Sequence, residues 1–138
     1  MNLIELSNDF CQNHLVCLRR VAISADITLS QLLCLNAVPF SGISQSKLAK
    51  KLSLDLSTLS RNLNRLINMQ LIDKNISKID NRSYNINLTK KGVNFYNNIQ
   101  QLINTEIHTI YESLEIDEIN QLSELLNTIN WKFDLLYR

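Results

Sequence analysis

Residues 46–72 read SKLAKKLSLDLSTLSRNLNRLINMQLI, and this stretch decides the fold of the chain. Its first part has apolar residues at the spacing of a buried helix edge, namely Leu48, Ala49 and Leu52. After a turn at residues 53–55, a second helix has the inward positions Leu59, Leu63, Leu66 and Ile67. Ser44 is placed to cap the first helix, and Asp55 or Leu56 opens the second. Helix, tight turn and helix in this order are typical of a helix-turn-helix.

The outward face of the second helix carries polar and basic side chains and no acid. Its members are Ser57, Thr58, Arg61, Asn64, Arg65 and Asn68. Side chains of these types contact phosphates and base edges in DNA. Because the N-terminal half of a recognition helix lies deepest in the major groove, we expect Arg61 and Ser57 to contact bases. Arg65 and Asn68 are expected at the backbone; the alternative is an ordinary solvated helix face.

After this helix the apolar spacing changes from helical to alternating. Residues 72–77 and 83–89 are predicted strands joined by a short turn, and the second belongs to the stretch DNRSYNINLTKKG, residues 80–92. A hairpin here is typical of the wing of a winged helix, which would carry Lys78 and Arg82 toward a minor groove. Asp80 suits a structural role at the hairpin tip. The alternative is a surface hairpin with incidental charge.

Charge is divided unevenly along the chain. Between Ser44 and Gly92 lie ten basic and three acidic residues, a balance of +7, whereas the remainder has four basic and ten acidic residues, a balance of −6. A basic centre between acidic ends is typical of a module that binds a polyanion and carries arms with another role. A solvated basic face is the alternative interpretation.

The composition argues against several other classes of protein. A chain of 138 residues, 45% of them hydrophobic, makes one ordinary domain. No apolar run approaches the roughly 20 residues of a membrane span, and the acidic start MNLIELSND is unlike a signal peptide, so a cytoplasmic location is expected. Without a glycine-rich phosphate loop, a Gly-x-Ser-x-Gly motif or a His/Cys cluster, we expect no enzyme, cofactor or metal site.

The two stretches together resemble the MarR family of bacterial transcriptional regulators, over about residues 28–100. The second stretch contributes the pattern D-x-R-x5-L-T-x2-G, formed by Asp80, Arg82, Leu88, Thr89 and Gly92. Two departures stand out. Family members commonly have a glycine just before the wing, where this chain has Met69-Gln70, and often one in the helix-turn-helix turn, where it has Ser53. The recognition helix must therefore end without a left-handed glycine.

The resemblance implies a mainly α fold with a small β-hairpin wing, in which a winged helix-turn-helix is flanked by N- and C-terminal dimerisation helices. On this basis residues 1–138 form one MarR-type domain, with the lobe at 28–92 and the dimerisation helices at 1–24 and 95–138. It also implies a homodimer on a pseudo-palindromic double-stranded DNA operator, with Arg82 in the minor groove and the second helix in the major groove. The expected function is a repressor released by a small aromatic or phenolic effector.

Three features of the sequence allow more than one interpretation. The residues suited to a subunit interface are Phe10, Leu122, Leu125, Ile129, Phe133 and Leu136, although an intramolecular core competes with that interpretation. Some family members sense oxidation through a cysteine in the first helix, and Cys11 is the candidate redox sensor here, whereas Cys17 and Cys34 are interpreted as core residues. A winged-helix protein-interaction module or antirepressor that does not bind DNA is the competing class, disfavoured by the basic helix face.

Overall fold

The computed structural model describes residues 1–79 and 82–137. The elements, in chain order, are α1 (Leu3–Ser24), α2 (Leu29–Ala37), β1 (Ile43–Ser44), α3 (Gln45–Leu52), α4 (Leu56–Asn68), β2 (Ile72–Ile76), β3 (Tyr84–Leu88), α5 (Lys90–Tyr111) and α6 (Ile116–Tyr137). The chain is therefore mainly helical with a small hairpin after α4, as the sequence predicts.

The helices begin at the residues that the sequence marks as caps. Thr28, Ser44, Asp55 and Thr89 each accept a hydrogen bond from the backbone N–H three residues later, at 3.1, 3.2, 2.7 and 2.9 Å. Each bond satisfies one of the N–H groups that lack a partner in the first turn of a helix. The order and starting points of α2, α3, α4 and α5 thus follow from local sequence signals.

Three helices end in a left-handed turn made without glycine. Asp26, Ser53 and Gln70 have φ values of 56°, 51° and 61°. After α4, the Leu71 N–H donates to the Leu66 carbonyl at 3.0 Å and the Gln70 N–H donates to the Ile67 carbonyl at 2.8 Å. This pair of bonds is the Schellman motif. In place of the family's usual glycines, Ser53 and Gln70 themselves adopt the left-handed geometry.

The lobe core confirms the inward positions predicted for α3 and α4. The residues with no exposed surface in this core include Leu35, Leu48, Leu59, Leu63, Leu66, Leu71 and Ile86. Leu52 and Ile67 are half-buried at its edge. A second cluster, built around Val21, Leu32 and Ile99, joins α1, α2 and α5. The lobe is thereby fixed to the base of the long helices. Leu6, Phe10 and Leu15, nearer the N-terminal end of α1, are exposed.

The strands form an antiparallel sheet in the order β1-β3-β2. In the wing, Ile72 pairs with Leu88 and Ile76 pairs with Tyr84. Both predicted strands are shorter than expected, although the Ser77 N–H still donates to the Ser83 carbonyl at 2.9 Å. The sequence did not reveal β1, because two residues are too few to show alternation. This short strand ties the wing to the start of α3.

The helix α6 contributes nothing buried to the core of its own chain. Among the described residues its apolar side chains are exposed or half-buried, with Leu125 at 61% and Phe133 at 53% of full exposure. Within residues 1–79 and 82–137, no helix is long and apolar enough to span a membrane. The apolar face of α6 is therefore largely open to solvent within this chain.

Candidate nucleic-acid interface

The fourth helix presents the predicted polar face to solvent. Ser57, Arg61, Asn64, Arg65 and Asn68 are exposed, and Thr58 is half-buried. The opposite positions Leu59, Leu63 and Leu66 are completely buried in the lobe. Because these leucines fix the helix in rotation, the polar side chains are held outward along one face. The six predicted residues therefore share one solvent-facing surface on a rigid element.

A hydrogen-bonded cluster surrounds Asp55 at the N-terminal end of this surface. Asp55 Oδ1 accepts from the Ser57 hydroxyl at 2.6 Å and from the Thr58 N–H at 2.7 Å. Asp55 Oδ2 accepts from the Thr58 hydroxyl at 2.8 Å. The hydrogen bond from Ser57, followed by those from Thr58, holds the pKa of Asp55 well below its ordinary range. Asp55 is therefore a carboxylate at neutral pH.

This cluster refines the prediction for Ser57 and Thr58. A hydroxyl carries one proton, and both of these protons are donated to Asp55. Neither side chain is therefore ready to donate to a phosphate. Sequence reasoning gave Asp55 only as one of two residues that could open α4 and missed its place in the surface. The available signal was an Asp at the cap followed by Ser and Thr within one turn.

The wing places Arg82 beside the start of α4. Lys78 and Arg82 are exposed, and Arg82 borders a groove of about 360 Å³ whose other side is formed by the starts of α3 and α4. Lys74 Nζ lies 4.4 Å from the centroid of the Tyr84 ring, a cation–π contact along the wing. Asp80, predicted to shape the tip, lies outside the described residues. Arg82 thus stands at a groove shared by the wing and the helix-turn-helix.

A buried glutamine joins the two helices of the helix-turn-helix. The sequence did not predict this contact. Gln45 retains only 9% of its full exposure, and its Nε2 donates to Ser60 Oγ at 3.0 Å. Lys51 Nζ donates to the Ala37 carbonyl at 3.0 Å, across from α3 to the end of α2. Lys47 and Lys50 on α3 remain exposed. These contacts fix the relative positions of α2, α3 and α4 and leave a basic surface outside.

The predicted interface residues lie on α1 and α6 with much of their surface open. Their exposures are 46% for Phe10, 61% for Leu125, 47% for Ile129, 53% for Phe133 and 74% for Leu136, and Leu122 is half-buried. Exposed apolar area of this extent is unusual for a monomer and typical of an interaction site. The structure does not place these residues near the α4 surface. The candidate subunit interface and the candidate DNA surface are therefore two separate regions.

The three cysteines differ in accessibility. Cys11 is exposed on α1, whereas Cys34 is buried in the lobe core as predicted. Burial raises the pKa of Cys34 to about 11, so this thiol stays protonated at neutral pH. Cys17 is half-buried, not a full core residue, and borders a cavity of about 390 Å³ between α1 and α5. Partial burial, with a smaller contribution from Glu106, raises its pKa.

Comparisons with solved structures place this geometry among bacterial regulators. The apo structure of MarR from E. coli superposes with a TM-score of 0.81 at 27% sequence identity, covering 94% of this chain and 96% of that chain. A cysteine-to-serine variant of E. coli MarR in complex with operator DNA matches with a TM-score of 0.72 at 26% identity, over 92% of each chain. A variant of MepR from S. aureus shares the fold, with a TM-score of 0.73, 21% identity, and coverage of 96% and 99%.

The sequence itself matches one family over more than half of its length. The family model described as transcriptional regulator SarA/Rot matches residues 21–99, from the last turn of α1 into the first half of α5. That range includes the whole helix-turn-helix, the wing and the start of α5. With a MarR-type winged-helix fold and this match, the chain belongs to the SarA/Rot family of transcriptional regulators.

Proposed function

We propose that this protein binds double-stranded DNA as a homodimer and represses transcription at a pseudo-palindromic operator in the cytoplasm. The observation that supports it most is the exposed face of α4, where Arg61 and Arg65 stand with polar neighbours. The E. coli MarR variant bound to operator DNA supports the same use of the fold. In this proposal α4 enters the major groove, with Arg61 at base edges and Arg65 and Asn68 nearer the backbone.

The wing extends the proposed contact to a second groove. Arg82 and Lys78 are exposed on the hairpin that follows α4. A guanidinium is attracted into narrow minor grooves by their enhanced negative potential. We therefore assign Arg82 to the minor groove next to the major groove that α4 occupies, and Lys78 to a nearby phosphate. Asp80 keeps its proposed role at the tip.

Dimerisation is proposed through the helices at residues 1–24 and 95–138, which we call the arms. The exposed apolar residues of α6, including Leu125, Ile129 and Phe133, recur at intervals of four and so lie along one side of the helix. Phe10 adds apolar surface on α1. A two-fold dimer that covers this surface would present two copies of α4, which matches a palindromic site.

Release by a small aromatic or phenolic effector completes the proposal. The cavity between α1 and α5 has a volume of about 390 Å³ and is bordered by Phe10, His14 and Arg20. The Nδ1 atom of His14 is itself buried, and no group in residues 1–79 and 82–137 bonds to it. Arg20 Nε lies 3.6 Å from Glu106 Oε2, beyond a good hydrogen-bond distance. A planar ligand with a polar substituent has complementary groups in this cavity.

The test of the proposed function is duplex binding as a function of salt. We expect the full chain to select a two-fold-related sequence from a random duplex pool, with an affinity that falls steeply as salt rises, because each neutralised phosphate releases counterions. A double variant, Arg61→Ala with Arg65→Ala, should weaken binding, whereas Lys132→Ala on α6 should leave it unchanged. No binding to any duplex at low salt, with the protein folded and dimeric, would favour the competing protein-interaction module.

A further inference from the structure

The N-terminal end of the proposed DNA surface offers acceptors and no free hydroxyl protons. Asp55 receives hydrogen bonds from Ser57 Oγ at 2.6 Å and from Thr58 Oγ1 at 2.8 Å. Because each hydroxyl has one proton, only lone pairs remain available on these side chains. Ser57 is exposed, so its oxygen and the Asp55 carboxylate face the same solvent region. A partner that contacts these side chains must therefore donate hydrogen bonds.

The DNA backbone is a poor partner for such a cluster. A phosphate has only acceptor oxygens, and its negative charge is repelled by the carboxylate of Asp55. In the major groove, the donors on base edges are the N6 amine of adenine and the N4 amine of cytosine. Asp and Glu typically accept from cytosine N4. This end of α4 is thus suited to a base edge, and to a different one from those that arginine binds.

Arg61 presents the complementary chemistry beside the cluster. It follows Ser57 by four residues, so the two side chains are neighbours on one helix face. Arg61 Nη2 lies 3.4 Å from Thr58 Oγ1, which brings the guanidinium to the edge of the cluster. A guanidinium makes its commonest specific contact with O6 and N7 of guanine. The Arg61 donors therefore stand beside the acceptors of the Asp55 cluster. In one G·C pair, the guanine acceptors likewise lie beside the donating amine of cytosine.

We propose that Asp55 is a specificity-determining residue of this protein. Together with Ser57 it accepts a hydrogen bond from the N4 amine of a cytosine, while Arg61 binds the guanine of the same base pair. The inference rests on the proposed function, because it names what the α4 surface recognises. It gives Ser57 an accepting role and requires a G·C pair in each half-site.

The experiment compares base preferences of the unaltered protein and Asp55→Ser. Serine keeps a cap for the Thr58 N–H but removes the carboxylate. For each base pair of a selected half-site, the Kd is measured for the original and the exchanged pair. We expect one G·C pair whose exchange for A·T raises the Kd of the unaltered protein roughly tenfold or more. The same exchange should raise the Kd of Asp55→Ser much less. Asp117→Ser removes the same charge from α6 and should keep the full preference.

A modified base tests the amine directly. N4-methylcytosine still pairs with guanine, but a methyl group replaces the amine proton that faces the major groove. It should therefore lower the DNA affinity of the unaltered protein as the base-pair exchange does. Unaltered binding to that base, or equal base preferences in Asp55→Ser and the unaltered protein, would overturn the inference and leave the proposed function standing. If Asp55→Ser does not fold, the modified base decides alone. Failure of the unaltered protein to bind any duplex would overturn the proposed function as well.

Discussion

Backbone strain is concentrated in single residues that follow α3 and α4. Ser53 and Gln70 adopt φ values of 51° and 61°, a region that costs a residue with a Cβ roughly 1–2 kcal/mol. They are kept there by the hydrogen bonds that follow each helix, such as that from the Leu54 N–H to the Ala49 carbonyl at 3.0 Å. Tertiary packing of Leu71, which has no exposed surface, supports the same geometry after α4. The lobe tolerates this cost in the turn of the motif and again after α4.

A glycine at these positions should stabilise the protein. We expect Gln70→Gly to raise the free energy of unfolding by about 0.5–1 kcal/mol, because the relief of backbone strain exceeds the added entropy of the unfolded chain. Urea unfolding followed by circular dichroism measures the change. Gln70→Ala removes the same side chain but keeps a Cβ, so it should show no such gain. Equal stabilities of the glycine and alanine variants would show that strain is not released.

The Asp55 cluster shows how far single residues are predictable from sequence. The sequence places the start of α4 at Asp55 or Leu56, and in the structure Asp55 is the cap, accepting from the Thr58 N–H at 2.7 Å. The pattern could not show that Ser57 turns its proton toward Asp55. That choice depends on a competition between solvent and a nearby carboxylate, which side-chain geometry decides and residue spacing does not.

Among the elements, the junction of α4 and α5 depends on a close approach of backbones. The Thr89 N–H donates to the Leu71 carbonyl at 3.0 Å, and the Thr89 hydroxyl donates to the Gln70 carbonyl at 2.6 Å. Lys91 Nζ donates to the Met69 carbonyl at 3.0 Å. The first turn of α5 therefore lies directly on the end of α4, which gives a physical reason for the Leu-Thr-x2-Gly part of the family pattern.

Gly92→Ala should weaken this junction. A Cβ at position 92 would lie 1.9 Å from the Leu71 carbonyl oxygen, which is backbone and cannot rotate away. We expect a loss of about 1–3 kcal/mol in the free energy of unfolding, as for other overpacked sites. Thermal unfolding would measure the loss, and Asn94→Ala, an exposed position of the same helix, serves as the control. A variant as stable as the unaltered protein would contradict this packing.

The wing is the element whose function depends most on one residue. We expect Arg82→Ala to lower operator affinity and to flatten its dependence on salt, because one contact to the DNA is lost. The dimer should persist, since Arg82 lies in the lobe. Binding is measured by fluorescence anisotropy over a salt series, with Lys132→Ala as a variant that loses the same charge elsewhere. An unchanged affinity would falsify the assignment of Arg82 to the minor groove.

Helices and strands were predictable where a local apolar pattern repeats. They were not predictable where a strand depends on pairing with residues far along the chain. The alternation around Ile86 predicts β3, and helical spacing predicts α4. By contrast, β1 pairs Ile43 with Ile86, which is far along the chain. Its two residues gain strand geometry from that partner, so no local signal marks them. The third strand of the sheet is thus a product of tertiary structure.

The molecule as a whole separates charge and apolar surface into two regions. The basic segment between Ser44 and Gly92, with its balance of +7, includes α3, α4 and the wing. The acidic remainder supplies the arms, where α6 has no buried side chain among the described residues. Because the arms have little positive charge to offer a phosphate and much exposed apolar surface, subunit association is the role that suits them.

Ile129→Asp should separate the subunits without unfolding the lobe. Ile129 is 47% exposed, so the chain's own core does not depend on it, whereas a carboxylate in an apolar interface would be costly to desolvate. We expect a shift toward monomer in sedimentation velocity and a marked loss of affinity for the two-fold operator, because both half-sites must be bound together. Asn127→Asp adds the same charge about 200° around the helix and should leave the dimer intact. If Ile129→Asp remained a dimer with full operator affinity, the subunit interface would have to lie on another face of the arms.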